Sequence, residues 1–193
     1  MAKKNILIIG VGGIGSYLTP LLSKTDNYNL TIADPDIVEK KNVSYQNFGE
    51  HQLGALKVHS LELSYSCIRV PYPILTDKQL KGYDLIICCA DNLDVRRLVY
   101  RQGFQSDCMA QWLDLRAQGR NGALISYLAD PKLCDTFLTG PEGSFSCQGE
   151  AFNDTLNTKD LHFTHVAIAG IGAQWVQRWN NGEQIKDKMV INI

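Results

Sequence analysis

Asn5-Ile-Leu-Ile-Ile-Gly10-Val-Gly12-Gly13-Ile-Gly15-Ser16 decides the fold of this chain. Its all-apolar start is typical of a buried parallel strand. Glycines in G-x-G-x-x-G spacing follow at Gly10, Gly12 and Gly15, and an apolar segment typical of a helix comes next. A strand that enters a helix through such a turn predicts a phosphate-binding loop at the start of the domain.

The glycines and one acid each have a physical role in such a loop. Gly10 permits a sharp turn, Gly12 lets backbone N–H groups approach a phosphate, and Gly15 lets the helix pack on the sheet. The helix N-terminus offers unpaired N–H groups to an anion. About twenty residues later, Asp34 ends a second predicted strand, where a carboxylate can accept hydrogen bonds from ribose. A Rossmann-type nucleotide site is therefore predicted, and a tight turn without a ligand is the alternative.

Length and composition indicate an ordinary globular protein. The chain has 193 residues, 45% of them hydrophobic and 20% charged, with a net charge of −1. This balance gives no electrostatic case for nucleic acid or an anionic membrane as a partner. The first residues lead straight into a core strand, so we expect no signal peptide and a cytoplasmic protein with reduced thiols.

The patterning predicts an α/β fold with a Rossmann-like, mostly parallel sheet and an antiparallel hairpin extension. Gly119-Arg120-Asn121-Gly122 separates two strand-like runs, and its Asn-Gly pair predicts a hairpin there. Proline at Pro20 predicts a kink or early stop in the first helix. The further expectations are strands at 5–9, 30–33, 68–70, 83–89, 111–118, 123–128 and 188–193, and helices at 54–66, 91–105 and 162–179.

We expect residues 1–193 to form one nucleotide-binding domain that contains one long loop. Residues 130–160 are rich in Gly, Pro, Ser, Asn and Asp and show little periodicity. Such long segments are usually functional or disordered. The sequence therefore predicts a mobile loop over 130–160.

Five motifs in order resemble the ThiF/MoeB family, the adenylating fold of ubiquitin-activating enzymes, over about residues 5–180. They are Gly10–Ser16, Asp34-Pro-Asp36, Asn42-Val-Ser-Tyr-Gln46, Gly54-x-x-Lys57 and Asp91-Asn-x-x-x-Arg96. Members of that family use ATP to adenylate the C-terminal carboxylate of a ubiquitin-like protein.

The resemblance implies a role for each matching residue. Gly12 and Gly13 line the phosphates beside Gly10 and Gly15, and Asp34 holds the ribose. Asn42, Tyr45 and Lys57 approach the phosphates, and Asp91 binds Mg²⁺, so Lys57 and Asp91 are catalytic candidates, together with Cys147 as the thiol that would receive the activated acyl group or transfer sulfur. The substrate carboxylate is already ionised at neutral pH, so the reaction needs no general base. A solvated helix lysine and an N-cap are the alternatives for Lys57 and Asp91.

The sequence departs from the family pattern at three places. Tyr45 stands where the family has a phosphate-binding arginine, and the family's N-terminal extension, which often supplies a second arginine, has no counterpart before the first strand. Paired C-x-x-C motifs do not occur, so no structural zinc is expected. The resemblance thus implies an impaired adenylyltransferase, one completed by another subunit, or a nucleotide-binding protein that has lost the activity.

Four further residues carry open alternatives. Cys147 lies where family members form a thioester or persulfide, and we expect an exposed, reactive thiol whose pKa is lowered by the helix that follows; a bystander thiol is the alternative. Arg96 is predicted to meet phosphate or form a structural ion pair. Arg116 and Arg120 are predicted to face a substrate tail or solvent.

The leading hypothesis is therefore an ATP–Mg²⁺-dependent adenylyltransferase acting on a ubiquitin-like protein or peptide, assembled as a homodimer or heterodimer. An NAD-dependent oxidoreductase explains the glycines and Asp34 but neither Lys57 nor Asp91. A non-catalytic partner subunit is the second alternative.

Overall fold

A computed structural model of the protein describes residues 2–91, 93–102, 110–130, 132–136, 138, 147, 148 and 161–193. Its strands are β1 Lys4–Ile9, β2 Tyr28–Ala33, β3 Ile68–Val70, β4 Leu85–Cys88, β5 Gln111–Gln118, β6 Asn121–Ser126 and β7 Lys188–Asn192. Over the described ranges they form one seven-stranded sheet in the order β3-β2-β1-β4-β5-β6-β7. The first five strands are parallel, and β6 and β7 are antiparallel to their neighbours. The predicted fold class is confirmed.

Helices cover both faces of the sheet. They are α1 Gly15–Leu22, α2 Lys40–Val43, α3 Lys57–Ser60, α4 Leu93–Gln102, α5 Leu133–Thr136 and α6 Thr164–Asn180. Ile6 and Ile8 of β1 pack into one core with α1 and α6, whereas Leu7 and Ile9 pack into the other core with α4. Since successive side chains of a strand point to opposite faces, a segment buried on both faces must be continuously apolar, as the last four residues of β1 are.

The sheet changes direction at β1. β2 lies on one side of β1 and β4 on the other, so the connections that leave β1 and β4 run to opposite sides. In such open sheets the connections that leave the carboxyl ends of the two strands separate, and a crevice lies between them at the change of direction. The glycine turn follows β1 directly and therefore lies at this crevice.

The helix predicted over 54–66 is wrong in length, because α3 makes a single turn. The chain leaves the helix at Leu61 with φ −72° and ψ 129°. Arg69 of β3 donates hydrogen bonds to the carbonyls of Val58 and Leu61, the latter over 3.1 Å. The guanidinium thus satisfies carbonyl groups at the helix end, and the extended chain reaches β3.

The hairpin between β5 and β6 is confirmed, but its turn is only the first half of the connection predicted over 119–122. Gln118 pairs with Asn121, so Gly119 and Arg120 form the turn. Gly119 has φ +56°, as the first central residue of a type II′ turn requires. Gly122 belongs to β6, and a Cβ there would lie 2.5 Å from Cγ1 of Ile168 on α6. The close packing of α6 on β6 therefore explains why this residue is glycine.

The other boundaries lie near the predictions. α1 continues two residues beyond Pro20, α6 begins at Thr164, and α4 reaches Gln102. Most of the predicted mobile loop 130–160 lies outside the described residues, and its described part includes the short helix α5. Over the described ranges, the chain has no helix with the length and apolar character needed to cross a membrane.

Candidate functional site

A cavity of about 430 Å³ opens at the carboxyl ends of β1, β2 and β4. It lies at the predicted crevice, and it brings together residues that are far apart in sequence. Its lining includes Gly10, Gly12, Gly13, Asp34, Asp36, Lys41, Tyr45, Lys57, Tyr72, Ile74, Asp91 and Cys147. Gly15 and Asn42, which were also predicted as nucleotide-binding residues, do not line it.

The glycine turn contains two kinds of glycine. Gly10 has φ +88°, and a Cβ there would lie 2.8 Å from the backbone nitrogen of Ala90; a Cβ at Gly15 would lie 1.9 Å from the carbonyl oxygen of Gly10. These two glycines are required by the turn itself. Around a Cβ at Gly12, in contrast, the nearest atom is Nε2 of Gln46 at 3.8 Å. Packing does not demand glycine at Gly12, so a close approach of a ligand would explain it.

Asp34 ties the end of β2 to the glycine turn. Its Oδ2 accepts a hydrogen bond from the Val11 N–H at 2.7 Å, and its Oδ1 accepts one from the Asp36 N–H at 2.9 Å. Burial raises the pKa of Asp34, whereas the charge of Lys57 and the two N–H donors oppose that rise. The carboxylate is oriented at the cavity wall, and its remaining lone pairs can accept further hydrogen bonds.

Lys57 is a buried cation in the cavity wall. It begins α3, its side chain is 8% exposed, and its Nζ lies 2.9 Å from Oδ2 of Asp36. A buried lysine is rare unless it is paired, so the solvated alternative for Lys57 is wrong. Asp36 is 60% exposed and faces the same cavity.

Tyr45 is supported by two helices that the sequence did not connect to it. Its carbonyl accepts hydrogen bonds from the Tyr17 hydroxyl of α1 at 3.3 Å and from Nε2 of His165 on α6 at 2.8 Å. Its hydroxyl lies 3.0 Å from the donor Nε2 of Gln46. Asn42 accepts a hydrogen bond from the Glu39 N–H and so caps α2. Its amide therefore has a structural role, outside the cavity lining.

Asp91 is exposed at the cavity and follows β4. The backbone beside it is held by Arg96, which donates a hydrogen bond to the carbonyl of Ala90 and pairs with the buried Asp114 of β5. Of the two roles predicted for Arg96, the structure therefore favours the structural ion pair over a contact with phosphate. Asn92, the next residue of the same motif, lies outside the described residues.

Arg116 also faces the core. It is fully buried, its Nη2 lies 2.7 Å from Oδ2 of Asp114, and it donates to the hydroxyl of Tyr100 and the carbonyl of Cys134. The prediction that Arg116 faces a substrate tail or solvent is wrong. Asp114 and Tyr100, which complete this buried network, were not predicted, because nothing in their local sequence shows that two arginines converge on them.

Cys147 contradicts the expectation of an exposed thiol with a lowered pKa. It is partly buried against the glycine turn, where a Cβ on Gly13 would lie 2.6 Å from its Sγ. Burial raises the pKa of Cys147 to about 12; Arg96 opposes this rise and Asp91 adds to it. Desolvation disfavours the thiolate more than nearby positive charge favours it.

Comparison with known proteins identifies the family. The sequence profile described as "ThiF family" matches residues 1–124. The chain belongs to the ThiF family. It is 32% identical over 110 residues to the adenylyltransferase and sulfurtransferase MOCS3 of Mus musculus, covering 51% of this chain and 24% of that protein. It is 27% identical over 119 residues to the ubiquitin-like modifier-activating enzyme 5 of Aedes aegypti, covering 50% of this chain and 30% of that protein.

Among solved structures, that of E. coli MccB has the same fold. The TM-score is 0.74 at 14% identity, over 98% of this chain and 59% of that chain. This ThiF-family chain therefore spans about three fifths of MccB, and a quarter to a third of the two curated relatives.

Proposed function

We propose that this protein uses ATP and Mg²⁺ to adenylate the C-terminal carboxylate of a ubiquitin-like protein or peptide. The observation that carries the proposal is the placement of Gly12, Asp34, Lys57 and Asp91 around one cavity. Family membership supports the same chemistry, since MOCS3 is named an adenylyltransferase and MccB has been crystallised with ATP.

Each residue has a task that its surroundings suit. Asp34 accepts hydrogen bonds from the ribose, and backbone N–H groups at Gly12 and Gly13 bind the phosphates. Lys57 neutralises charge that develops on the α-phosphate as the carboxylate oxygen attacks it and pyrophosphate leaves. A cation held beforehand in a buried wall stabilises such a transition state without reorganising.

Asp91 is the residue that would hold a magnesium ion at this site. Asp91 is an exposed carboxylate at the cavity, and Mg²⁺ takes one or two carboxylates together with phosphate oxygens and waters. Magnesium would neutralise phosphate charge there. Across the described ranges, no group of three or more His, Cys, Asp or Glu is arranged to hold a metal ion by itself.

The substrate class is the finer part of the proposal. MOCS3 is also named a sulfurtransferase, ubiquitin-like modifier-activating enzyme 5 is named for its protein substrate class, and MccB has been solved with MccA. The shared requirement is a free carboxylate that reaches the α-phosphate. The proposed adenylation step does not use Cys147, whose thiol is disfavoured as a nucleophile by its raised pKa.

Calorimetry and pyrophosphate exchange test the proposal together. We expect ATP–Mg²⁺ to bind in preference to NAD, and exchange of labelled pyrophosphate into ATP once a substrate carboxylate is present. Binding of NAD but not ATP would contradict it. Binding of ATP without exchange, across a panel of ubiquitin-like proteins and peptides, would instead support a non-catalytic partner subunit.

A further inference from the structure

The described lining of the cavity has more carboxylates than ammonium groups, although the proposed ligand is a triphosphate. The described lining carries three carboxylates, on Asp34, Asp36 and Asp91, and two ammonium groups, on Lys41 and Lys57. Lys57 already lies 2.9 Å from Asp36 and offsets the charge of Asp34. The positive charge of Lys57 is therefore largely balanced before a ligand arrives. The other lysine in the described lining is Lys41.

Lys41 and Tyr45 project from the same face of one helical turn. They are four residues apart, and the turn of α2 continues past its last residue, since the Gln46 N–H donates to the carbonyl of Asn42 at 2.8 Å. Residues four apart on a helix are neighbours in space. Both side chains line the cavity, so a cation at either position can reach the same part of the ligand.

One partner of Lys41 is a carboxylate at the protein surface. Its Nζ lies 2.9 Å from Oε2 of Glu39, and the two side chains are 49% and 51% exposed. Ion pairs between exposed groups contribute little to stability, because water and salt screen them. A phosphate group offers a stronger, charge-assisted hydrogen bond. The flexible stem of lysine lets the ammonium move from one oxygen to the other.

We propose that Lys41 binds the phosphates of the nucleotide and supplies the positive charge that Tyr45 does not. This proposal rests on the proposed nucleotide-binding function and deepens it. Tyr45 stands where the family has a phosphate-binding arginine, and the proposal names the residue that supplies the missing positive charge. The remaining support comes from position, because the fixed carbonyl of Tyr45 holds the end of the same turn against α1 and α6.

Binding of a nucleotide series to the Lys41→Gln variant tests this assignment. Lys40→Gln is the matched control, because Lys40 is the adjacent exposed lysine and does not line the cavity. We expect Lys41→Gln to weaken ATP–Mg²⁺ binding about tenfold in calorimetry, and to leave adenosine binding unchanged. Lys40→Gln is expected to change neither, and Lys41→Arg to keep ATP affinity.

A second variant distinguishes a lost contact from a disturbed fold. The double variant Lys41→Gln, Tyr45→Arg carries a guanidinium group four residues further along the chain. This group replaces the lost ammonium, so ATP affinity should recover. Equal ATP affinity in the Lys41→Gln and Lys40→Gln variants would overturn the role of Lys41 and leave the proposed function standing. Failure of the unaltered protein to bind ATP would instead overturn the proposed function. A loss of adenosine binding in Lys41→Gln would also contradict the assignment, because it places the residue away from the phosphates.

Discussion

At the scale of single residues, a substitution of Asp91 can distinguish a role in metal binding from a role in helix capping. Replacing it by Asn keeps the size and a capping oxygen but removes the charge that Mg²⁺ needs. We expect Asp91→Asn to lose about tenfold in ATP affinity when Mg²⁺ is present and nothing when Mg²⁺ is chelated, as measured by calorimetry. Asp94→Asn is the control, since its side chain is 95% exposed. An unchanged ATP affinity in the presence of Mg²⁺ would assign Asp91 to capping alone, because Asn keeps the capping oxygen.

The thiol of Cys147 should respond to pH unlike an ordinary cysteine. Its pKa is raised to about 12 by burial, so its thiolate is scarce at pH ~8 and grows about tenfold per pH unit toward pH ~11. We expect its alkylation by iodoacetamide, followed by mass spectrometry, to rise throughout that range, whereas glutathione levels off above pH ~9. ATP–Mg²⁺ should protect the thiol because it lines the cavity. Fast labelling at pH 7 would show that the raised pKa is wrong.

The sequence predicted the residues of the site that carry local signals. Gly12 and Asp34 lie at predicted strand ends, so their spacing placed them at one edge of the sheet, whereas Lys57 was predicted from the resemblance to the ThiF/MoeB family. The partners of Arg96 and Tyr45 could not be predicted in this way. Asp114 and His165 reach them from β5 and α6, and only the packed fold brings those elements together.

At the scale of elements, two glycines of α6 give opposite expectations. A Cβ on Gly170 would meet no atom within 4 Å, whereas one on Gly172 would lie 2.6 Å from Cδ1 of Leu115, which is fully buried. Gly170→Ala should therefore stabilise the protein by about 0.5–1 kcal/mol through helix propensity. Gly172→Ala should destabilise it by about 1–3 kcal/mol through overpacking. Urea unfolding measures both, and equal effects would show that α6 does not pack on β5 as described.

His165 should make the packing of α6 sensitive to acid. Burial lowers its pKa below the ordinary value, so the unfolded chain takes up a proton at His165 before the folded protein does. Its contribution to the free energy of unfolding is complete above pH ~6.5 and is lost as the pH falls from there toward the lower folded pKa. In His165→Gln, which can still donate to the Tyr45 carbonyl, the melting temperature should fall less between pH 7.5 and 5.5. An unchanged pH dependence would exclude His165 as its source.

Two elements show where local patterns mislead. The helix expected over 54–66 has suitable apolar spacing, but Arg69 satisfies its carbonyls after one turn and β3 needs the chain extended. Asn121-Gly122 has the composition of a turn, but Gly122 is a glycine because α6 packs above it. In both cases a contact distant in sequence outweighs a local preference.

At the scale of the whole molecule, β7 forms one edge of the sheet. It pairs with β6 on one side only in the part of the chain that the structure describes, and Val190 and Ile193 are 56% and 61% exposed. An open strand edge with exposed apolar side chains favours pairing with another chain. We expect a dimer in light scattering at tens of micromolar, and a shift toward monomer in Val190→Lys. A monomeric unaltered protein would contradict this expectation.

The hydrogen bond from His165 to the Tyr45 carbonyl joins residues 120 positions apart. During translation, the glycine turn, Asp34, Lys57 and Asp91 all leave the ribosome well before α6 does. Until α6 emerges, Tyr45 lacks one of its two anchors, and the apolar face of β5 around Leu115 has no cover from that helix. The nascent chain therefore passes through an interval in which Tyr45 is incompletely anchored and an apolar surface is uncovered, and this surface is one to which chaperones can bind.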